Sequence, residues 1–519
     1  MRTQSSLKNM YIGILTQIVI TLLGFISRKV FVSGLGTEYL GINGLLTNVL
    51  SMLSLVEGGI GTSIVYNLYK PLADNDTEKV TALVQLYKKL YGILAAVVAI
   101  LSLMLYPFLG SLMKDGSSGT YITVVYFIFV SKNIISYLNA HKWSLINADQ
   151  KGYVLAKINL AFNVITTLCR IAIIYFTRSY ILYLVVELII IIIQNIYNGN
   201  IVNTRYPYIR TKKKYKVDKD VKENMITNVK ALFLHKVGTY CVYGTDNILI
   251  SALISVKTVG IYSNYTMIIG QLSALISPVL NGINASVGNL VATEGKDKNY
   301  SVFKVVYLVN FWIYCVSCIF LYNLLNPFID WWLGDGLLID NFTLLIVLIN
   351  FYISGLRTSI GIFKDKAGIF AEDKYVPLLE SVINLGASLI LVKYIGLAGI
   401  FLGTTISSIA FPVWNQSRLV YKKLFKRPLR EYFERYFLYA GVTILLAIMV
   451  TNICNIFVSG YSFLSLVIRG IICVTIPNII LVLIFHKTEE FKYLYNIIKK
   501  IFVSQITNKI NNKSMKIEN

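Results

Sequence analysis

Apolar residues run through this chain in long blocks, each closed by a short polar segment that is usually basic. A helix needs roughly 20 mostly apolar residues to cross a bilayer. Fourteen blocks reach that length, near residues 10–32, 41–66, 86–109, 121–146, 153–176, 179–202, 228–253, 259–291, 302–325, 338–363, 376–395, 396–420, 436–458 and 463–486. The pattern predicts an all-α polytopic membrane protein with fourteen transmembrane helices.

Several of these helices carry a polar face, because residues three or four apart share one side of a helix. Span one has Gly13, Gln17, Thr21, Gly24 and Arg28 in such a row, and span five has Asn159, Asn163, Thr166 and Arg170. Span seven has His235, Thr239, Tyr243 and Asp246; span ten has Asn350, Ser354, Arg357 and Gly361; span eleven has Glu380, Asn384 and Ser388. Lipid does not hydrate such faces, so they are expected to line a shared aqueous cavity. Candidate cargo-binding residues are Gln17, Thr21, Arg28, Asn163, Arg170, Asp246, Asn350, Arg357 and Asn384, and candidates for coupling an ion are Glu57 and Asp246. The same side chains admit blander roles. Arg28 and Lys29 can reach the outer interface by stretching their stems. Arg170 and Arg357 fit ion pairs with Glu57, Glu187 or Glu380, and Asp246 fits a partner for Arg28. The small-residue stripe of span two, Thr47, Ser51, Ser54, Gly58 and Gly61, is expected to serve close helix packing.

An offset of 219 residues lays part of the chain on another part. Thr37 to Ile42 falls on Val256 to Ile261, and Ala73 to Asn75 falls on Ala292 to Glu294. With a small gap, Ala148-Asp149-Gln150-Lys151 matches Ala371-Glu372-Asp373-Lys374, and Asn163 matches Asn384. Six spans repeated in parallel predict two six-helix lobes related about the membrane normal. The expected organisation is a first lobe at 1–202, a basic cytoplasmic linker at 203–227, a second lobe at 228–420 and a second basic linker at 421–435. Two extra helices at 436–486 and a cytoplasmic tail at 487–519 complete it.

Charge then sets the orientation. Of 49 Lys and Arg residues, 38 fall in alternate segments on the side of the N-terminus, four (Lys114, Arg178, Lys257, Lys393) fall in the opposite loops and seven lie within spans. Positive residues stay inside, so both termini are expected to be cytoplasmic in a cell membrane. The formal charge of +23 thus reads as an orientation signal with some attraction to anionic lipid, and no nucleic-acid module accompanies it. The first span is too long for a cleavable signal peptide and lacks a small-residue cleavage site. All six cysteines sit in apolar spans, where the Cys315–Cys318 spacing reads as packing.

Enzyme chemistry finds little support. The chain has no HExxH, no Walker A loop, no metal-spaced His or Cys cluster and no exterior acid pair, and its three histidines are scattered. No cofactor is expected. No exterior loop is long enough to house a polymerase or ligase domain.

Four stretches carry a family likeness. The first is "EGGIGTSIVYNLYKPLA", Glu57 to Ala73; the second is Ala148-Asp149-Gln150-Lys151. The third is Arg357 with Lys364-Asp365-Lys366-Ala367-Gly368-Ile369-Phe370 and Asp373-Lys374-Tyr375, and the fourth is "NLGASLILVKYIGLAGIFLGTTIS", Asn384 to Ser407. Together they resemble the Wzx-type polysaccharide flippases of the multidrug/oligosaccharidyl-lipid/polysaccharide exporter superfamily. The resemblance implies two six-helix lobes around a central cavity and two further helices. It also implies translocation of undecaprenyl-diphosphate-linked oligosaccharide from the inner to the outer leaflet, for capsule, exopolysaccharide or O-antigen synthesis. It implies membrane lipids and a glycan polymerase as partners, and Arg28 as the contact for the diphosphate. A lipid II flippase and a cation-coupled multidrug exporter are the alternatives in the same superfamily.

Overall fold

The computed structural model describes residues 2–58, 60–113, 120–149, 151–217, 244–369, 371–373, 375–458, 460 and 462–496, with isolated positions at Glu223, Val229, Lys236, Val237, Tyr240 and Lys499. The described residues are mostly helical, with no strand among them. Twelve of their helices are long and apolar enough to cross a membrane, and the chain is a multi-pass membrane protein. Of the two remaining expected spans, the eighth is the 38-residue helix Val256–Thr293. The seventh falls mainly outside the described residues, and with it His235, Thr239, Tyr243 and Cys241.

The chain divides into two compact units, 1–266 and 267–519. The first holds α1 (Arg2–Leu35), α2 (Thr37–Leu53), α3 (Ile60–Ala73), α4 (Thr77–Leu105), α5 (Thr120–Leu138), α6 (Ala140–Ala148), α7 (Tyr153–Thr177), α8 (Tyr180–Arg205), α9 (Asp246–Leu253) and the first turns of α10 (Val256–Thr293). Its apolar core draws on Leu45, Leu46, Val49, Val98, Tyr126 and Leu184. α1 packs on α7, and α8 packs on α5 and α7. The second unit holds α11 (Lys296–Leu333), α12 (Asn341–Lys366), α13 (Val376–Ile395), α14 (Leu397–Ala410), α15 (Pro412–Val420), α16 (Arg430–Phe457) and α17 (Phe463–Phe485). Its core is aromatic: Phe303, Tyr307, Phe311, Phe363, Tyr421, Phe425, Tyr432 and Tyr439 are all buried. The two extra helices, α16 and α17, pack against α11, where Trp312 Nε1 donates to Asn478 Oδ1 at 2.7 Å.

Three expected spans are broken, each for a local reason. Span two stops at Gly58, whose φ of 51° is left-handed, so α2 and α3 are separate helices. Span four ends at Leu138, and Asn139, which caps α6, turns its side chain to Asn195 on α8. Span twelve breaks at Phe411, before Pro412, which cannot donate to the helix ladder.

The division after Thr266 lies later than the linker at 203–227 because α9 and the start of α10 pack on α2 and its neighbours. That packing obeys the 219-residue offset. A β-carbon on Gly41 would lie 1.9 Å from the carbonyl oxygen of Val256, and one on Gly260 would lie 2.0 Å from that of Thr37. The offset pairs Gly41 with Gly260 and Thr37 with Val256, so one close backbone approach is made twice, each copy onto the other. The inner turns also match. Asp149 accepts from the Tyr206 hydroxyl at 2.5 Å just past α8, and Glu372 pairs with Lys423 just past α15. Burial first, and then the hydrogen bond to Asp149, push the Tyr206 hydroxyl above the ordinary tyrosine range. Lys423 beside it holds the Glu372 carboxyl below the usual range.

Replacing Gly41 or Gly260 by alanine is expected to lower thermal stability in detergent by about 1–3 kcal/mol, the usual penalty of overpacking. Gly270→Ala, with no atom within 4 Å of the new carbon, is the control and is expected to be neutral or stabilising. Scanning fluorimetry on the purified variants reads the difference.

Candidate functional site

The first unit has an open polar cavity of about 460 Å³ among α2, α5, α7 and α8. α2 contributes Asn43, Thr47 and Ser51, and the turn just past it Ser54; α5 contributes Phe129, Lys132 and Asn133; α7 contributes Arg170; α8 contributes Tyr183 and Glu187. The small-residue stripe of span two thus lines a cavity for half its length. Short side chains at Thr47, Ser51 and Ser54 leave the space, and their hydroxyls make it polar. Ser51 and Ser54 donate back to the carbonyls of Thr47 and Leu50 at 2.8 Å, and Asn133 Nδ2 donates to Ser54 Oγ at 3.0 Å.

Glu187 is the centre of the charge arrangement. One carboxylate oxygen pairs with Arg170, and the other lies 2.9 Å from Lys132 Nζ. Lys132 also sits over the Phe129 ring at 4.2 Å, and the Arg170 guanidinium over the Tyr183 ring at 4.9 Å. Two cations against one anion leave the cavity lining with a formal charge of +1. Arg170 lines this cavity, and of the three carboxylates open to it from the sequence, Glu57, Glu187 and Glu380, its partner is Glu187. Lys132 went unnoticed in the sequence because it stands alone in an apolar run with no polar stripe around it.

Arg28 turns inward. Its Nη1 donates to Ser263 Oγ at 2.9 Å and lies 3.4 Å from Asn264 Oδ1, while Lys29 is exposed. Phe31, one turn on, packs edge-to-face on Tyr183 at 5.3 Å, which brings this part of α1 against the ring that Arg170 covers. The Arg28–Asp246 pair is not formed: Arg28 takes a hydroxyl and an amide instead, and Asp246 heads α9 with its Oδ1 enclosed and without a hydrogen-bond partner among the described residues. Gln17 Nε2 reaches Thr21 Oγ1 at 3.4 Å along the predicted face of α1. Glu57 accepts from the Tyr91 hydroxyl at 3.4 Å.

The other stripes are taken up by helix contacts. Asn159 accepts from Gln194 and Asn198 on α8 at 2.8 and 2.7 Å, and Asn163, one turn on, is exposed. In the second unit Asn350 donates to the Phe401 carbonyl at 2.8 Å and accepts from Thr405 at 2.6 Å, and the buried Asn384 donates to Thr404 Oγ1 at 2.8 Å. Arg357 donates to Glu380 Oε1 at 3.0 Å, and Ser408 donates to the same carboxylate at 3.2 Å. Asn350, Arg357 and Asn384 therefore join α12, α13 and α14 to one another. Among the described residues no group of His, Cys, Asp and Glu is placed to hold a metal.

Solved structures share this architecture. A lipid II flippase, MurJ, in an inward closed conformation superposes with a TM-score of 0.65 at 15% identity, over 92% of this chain and 99% of that one. An inward-facing multidrug resistance MATE family transporter of the MOP superfamily superposes with a TM-score of 0.59 at 13% identity, over 78% and 98%. The chain has the MOP transporter fold. A Vibrio cholerae MATE transporter, VcmN, in a point-mutant form, fits the same MOP-type frame with a TM-score of 0.54 at 12% identity, over 82% and 98%. No protein-family model and no curated protein matches the chain.

The Arg357–Glu380 pair allows a direct test of its structural role. Both side chains are largely enclosed, and removing one partner of such a pair typically costs about 3–5 kcal/mol because the other charge is stranded. Arg357→Ala is expected to lose thermal stability on that scale. The double variant Arg357→Leu/Glu380→Leu is expected to recover most of it in the same unfolding assay.

Proposed function

We propose that this protein flips an anionic lipid-linked saccharide, an undecaprenyl-diphosphate-linked oligosaccharide repeat unit, from the inner to the outer leaflet of the bacterial cytoplasmic membrane. The product serves surface polysaccharide synthesis as capsule, exopolysaccharide or O-antigen, and a glycan polymerase is the natural next partner. The reading rests on one observation above all, the net-cationic polar cavity of Lys132, Arg170 and Glu187 inside a membrane-spanning helix bundle. A diphosphate is an anion, and arginine grips phosphate through its planar fork. Thr47, Ser51 and Asn133 add hydrogen-bonding groups of the kind sugars take. Arg28, on α1, lies outside this lining on Ser263 and Asn264 and is a further candidate contact for the diphosphate. In this reading the lobes at 1–202 and 228–420 move in alternating access, both termini stay cytoplasmic, and Asp246 or Glu57 is where a coupling ion binds.

The likeness to a structure titled a lipid II flippase favours a second reading, a peptidoglycan-precursor flippase. Its cargo has the same diphosphate chemistry. The four motif stretches that resemble polysaccharide flippases favour the first. Export of cationic drugs fits less well, since the cavity would repel them.

Reconstituted proteoliposomes carrying a fluorescent undecaprenyl-diphosphate disaccharide test the proposal. The wild type is expected to expose the label to an external quencher faster than empty vesicles. Lys132→Ala/Arg170→Ala is expected to cut the rate by at least about tenfold, equivalent to 1.4 kcal/mol. Equal rates in protein-containing and empty vesicles, with uptake of a cationic dye in their place, would overturn it.

A further inference from the structure

Glu187 is an odd group to find where an anion is to bind. Its two oxygens already occupy the two cations that an incoming phosphate needs, Arg170 on α7 and Lys132 on α5. Neither cation has another carboxylate partner among the described residues. Both cations line the cavity already paired with Glu187, so an anion that takes both of them displaces its carboxylate. Moved aside, its carboxylate is left unpaired at membrane depth, which costs several kcal/mol. A proton removes that cost.

We propose that Glu187 is a resident counter-anion that the cargo replaces: an anionic headgroup takes Lys132 and Arg170 as Glu187 releases them and binds a proton. This deepens the reading of the cavity as a diphosphate site and rests on it. The charges balance. With Glu187 ionised the lining carries +1. With Glu187 protonated it carries +2, which matches a diphosphate diester with one negative charge on each phosphate. One proton from water is taken up for each headgroup bound. It is given back when the headgroup leaves and Glu187 closes on the two cations again. The side chains that face Glu187 are Lys132 on α5, Arg170 on α7, and Tyr180 and Tyr183 on its own helix. Glu187 is the carboxylate among them, and in this proposal it is the group whose charge changes. The same device explains how a site that grips a diphosphate also lets it go: the returning carboxylate competes for both cations at once.

The test uses full-length protein in nanodiscs and a short-chain polyprenyl diphosphate capped with one sugar, a diester whose phosphates do not titrate between pH 6 and 8. Calorimetric affinity is measured across that range for wild type, Glu187→Gln and Lys132→Ala/Arg170→Ala. Wild-type affinity is expected to rise as the pH falls, by up to about tenfold per unit for one linked proton. Glu187→Gln is expected to bind at least about tenfold tighter than wild type at pH 8, with a flat pH profile, and to turn over more slowly in vesicles because release is impaired. Glu187→Gln binding no tighter than wild type, while Lys132→Ala/Arg170→Ala weakens binding, overturns the inference and leaves the cavity assignment standing. Wild-type binding that is unaffected by Lys132→Ala/Arg170→Ala overturns both. Should Glu187→Gln fail to fold, the wild-type pH profile decides alone, and a flat profile overturns the inference.

Discussion

A charge inside a membrane-spanning bundle has to be answered by another charge, by fixed dipoles or by water, because lipid offers nothing. Most of the interior of this protein follows from how each ionisable side chain is answered. Arg357 is met by Glu380 and held there by Ser408, which joins α12 to α13 and α14. Lys364, buried in the last turn of α12, is met by Asp373, which also accepts from Asn415 at 3.0 Å. Arg469 on α17 is met by the Val458 carbonyl at 2.9 Å. In the first two, one cation meets one carboxylate, and in the third a carbonyl dipole answers the charge. The group around Glu187 differs: two cations share one anion, and a cavity lies alongside. The same constraint that makes the other pairs structural makes this one a candidate site.

The Gly41–Gly260 contact sets how closely α2 and the start of α10 approach. Only a residue without a β-carbon lets a carbonyl oxygen come so near a helix backbone. Because the two glycines are related by the repeat, the approach is reciprocal, and neither can enlarge without displacing the other's neighbour. Ser263 and Asn264, the partners of Arg28, lie on α10, which that contact holds. The polar groups that receive the arginine are therefore positioned by two small residues.

What the sequence made legible was set by periodicity. Span number, helix type and the inward turn of Arg28 follow from apolar run lengths and from spacings of three and four, which side-chain chemistry alone dictates. Arg170 and Glu187 stood out because each interrupts an apolar helix, though the spacing left Glu57 and Glu380 open as partners for the arginine as well. Lys132 was not, since a single cation in a run such as "TVVYFIFVSKNIISYL" has no periodic companion on its own helix. Its partners come from α7 and α8, and only tertiary structure brings them together. The polar stripes misled in one respect. Asn350, Asn384 and Asn159 recur at helical spacing as a cavity lining would, but a side chain that bonds a neighbouring helix produces the same spacing. Likewise the small stripe of span two looks the same whether its short side chains admit a helix or leave a void.

The sign of the cavity charge narrows the cargo more than the fold does. MOP-type frames are seen in structures titled lipid II flippase and in structures titled multidrug transporter, so topology leaves both open. A lining of +1 that rises to +2 on protonation attracts anions and repels cations in either state. An inside-negative membrane potential then favours outward passage of an anionic headgroup by about 2.3 kcal/mol per net charge per 100 mV. If the headgroup travels with the proton that Glu187 takes up, one of its two negative charges is cancelled and about half of that driving force is lost. A carboxylate that binds a proton with the cargo thus exchanges part of the electrical drive for ease of release. Such an exchange suits a site that must bind a diphosphate firmly enough to draw it from one leaflet and weakly enough to surrender it to the other.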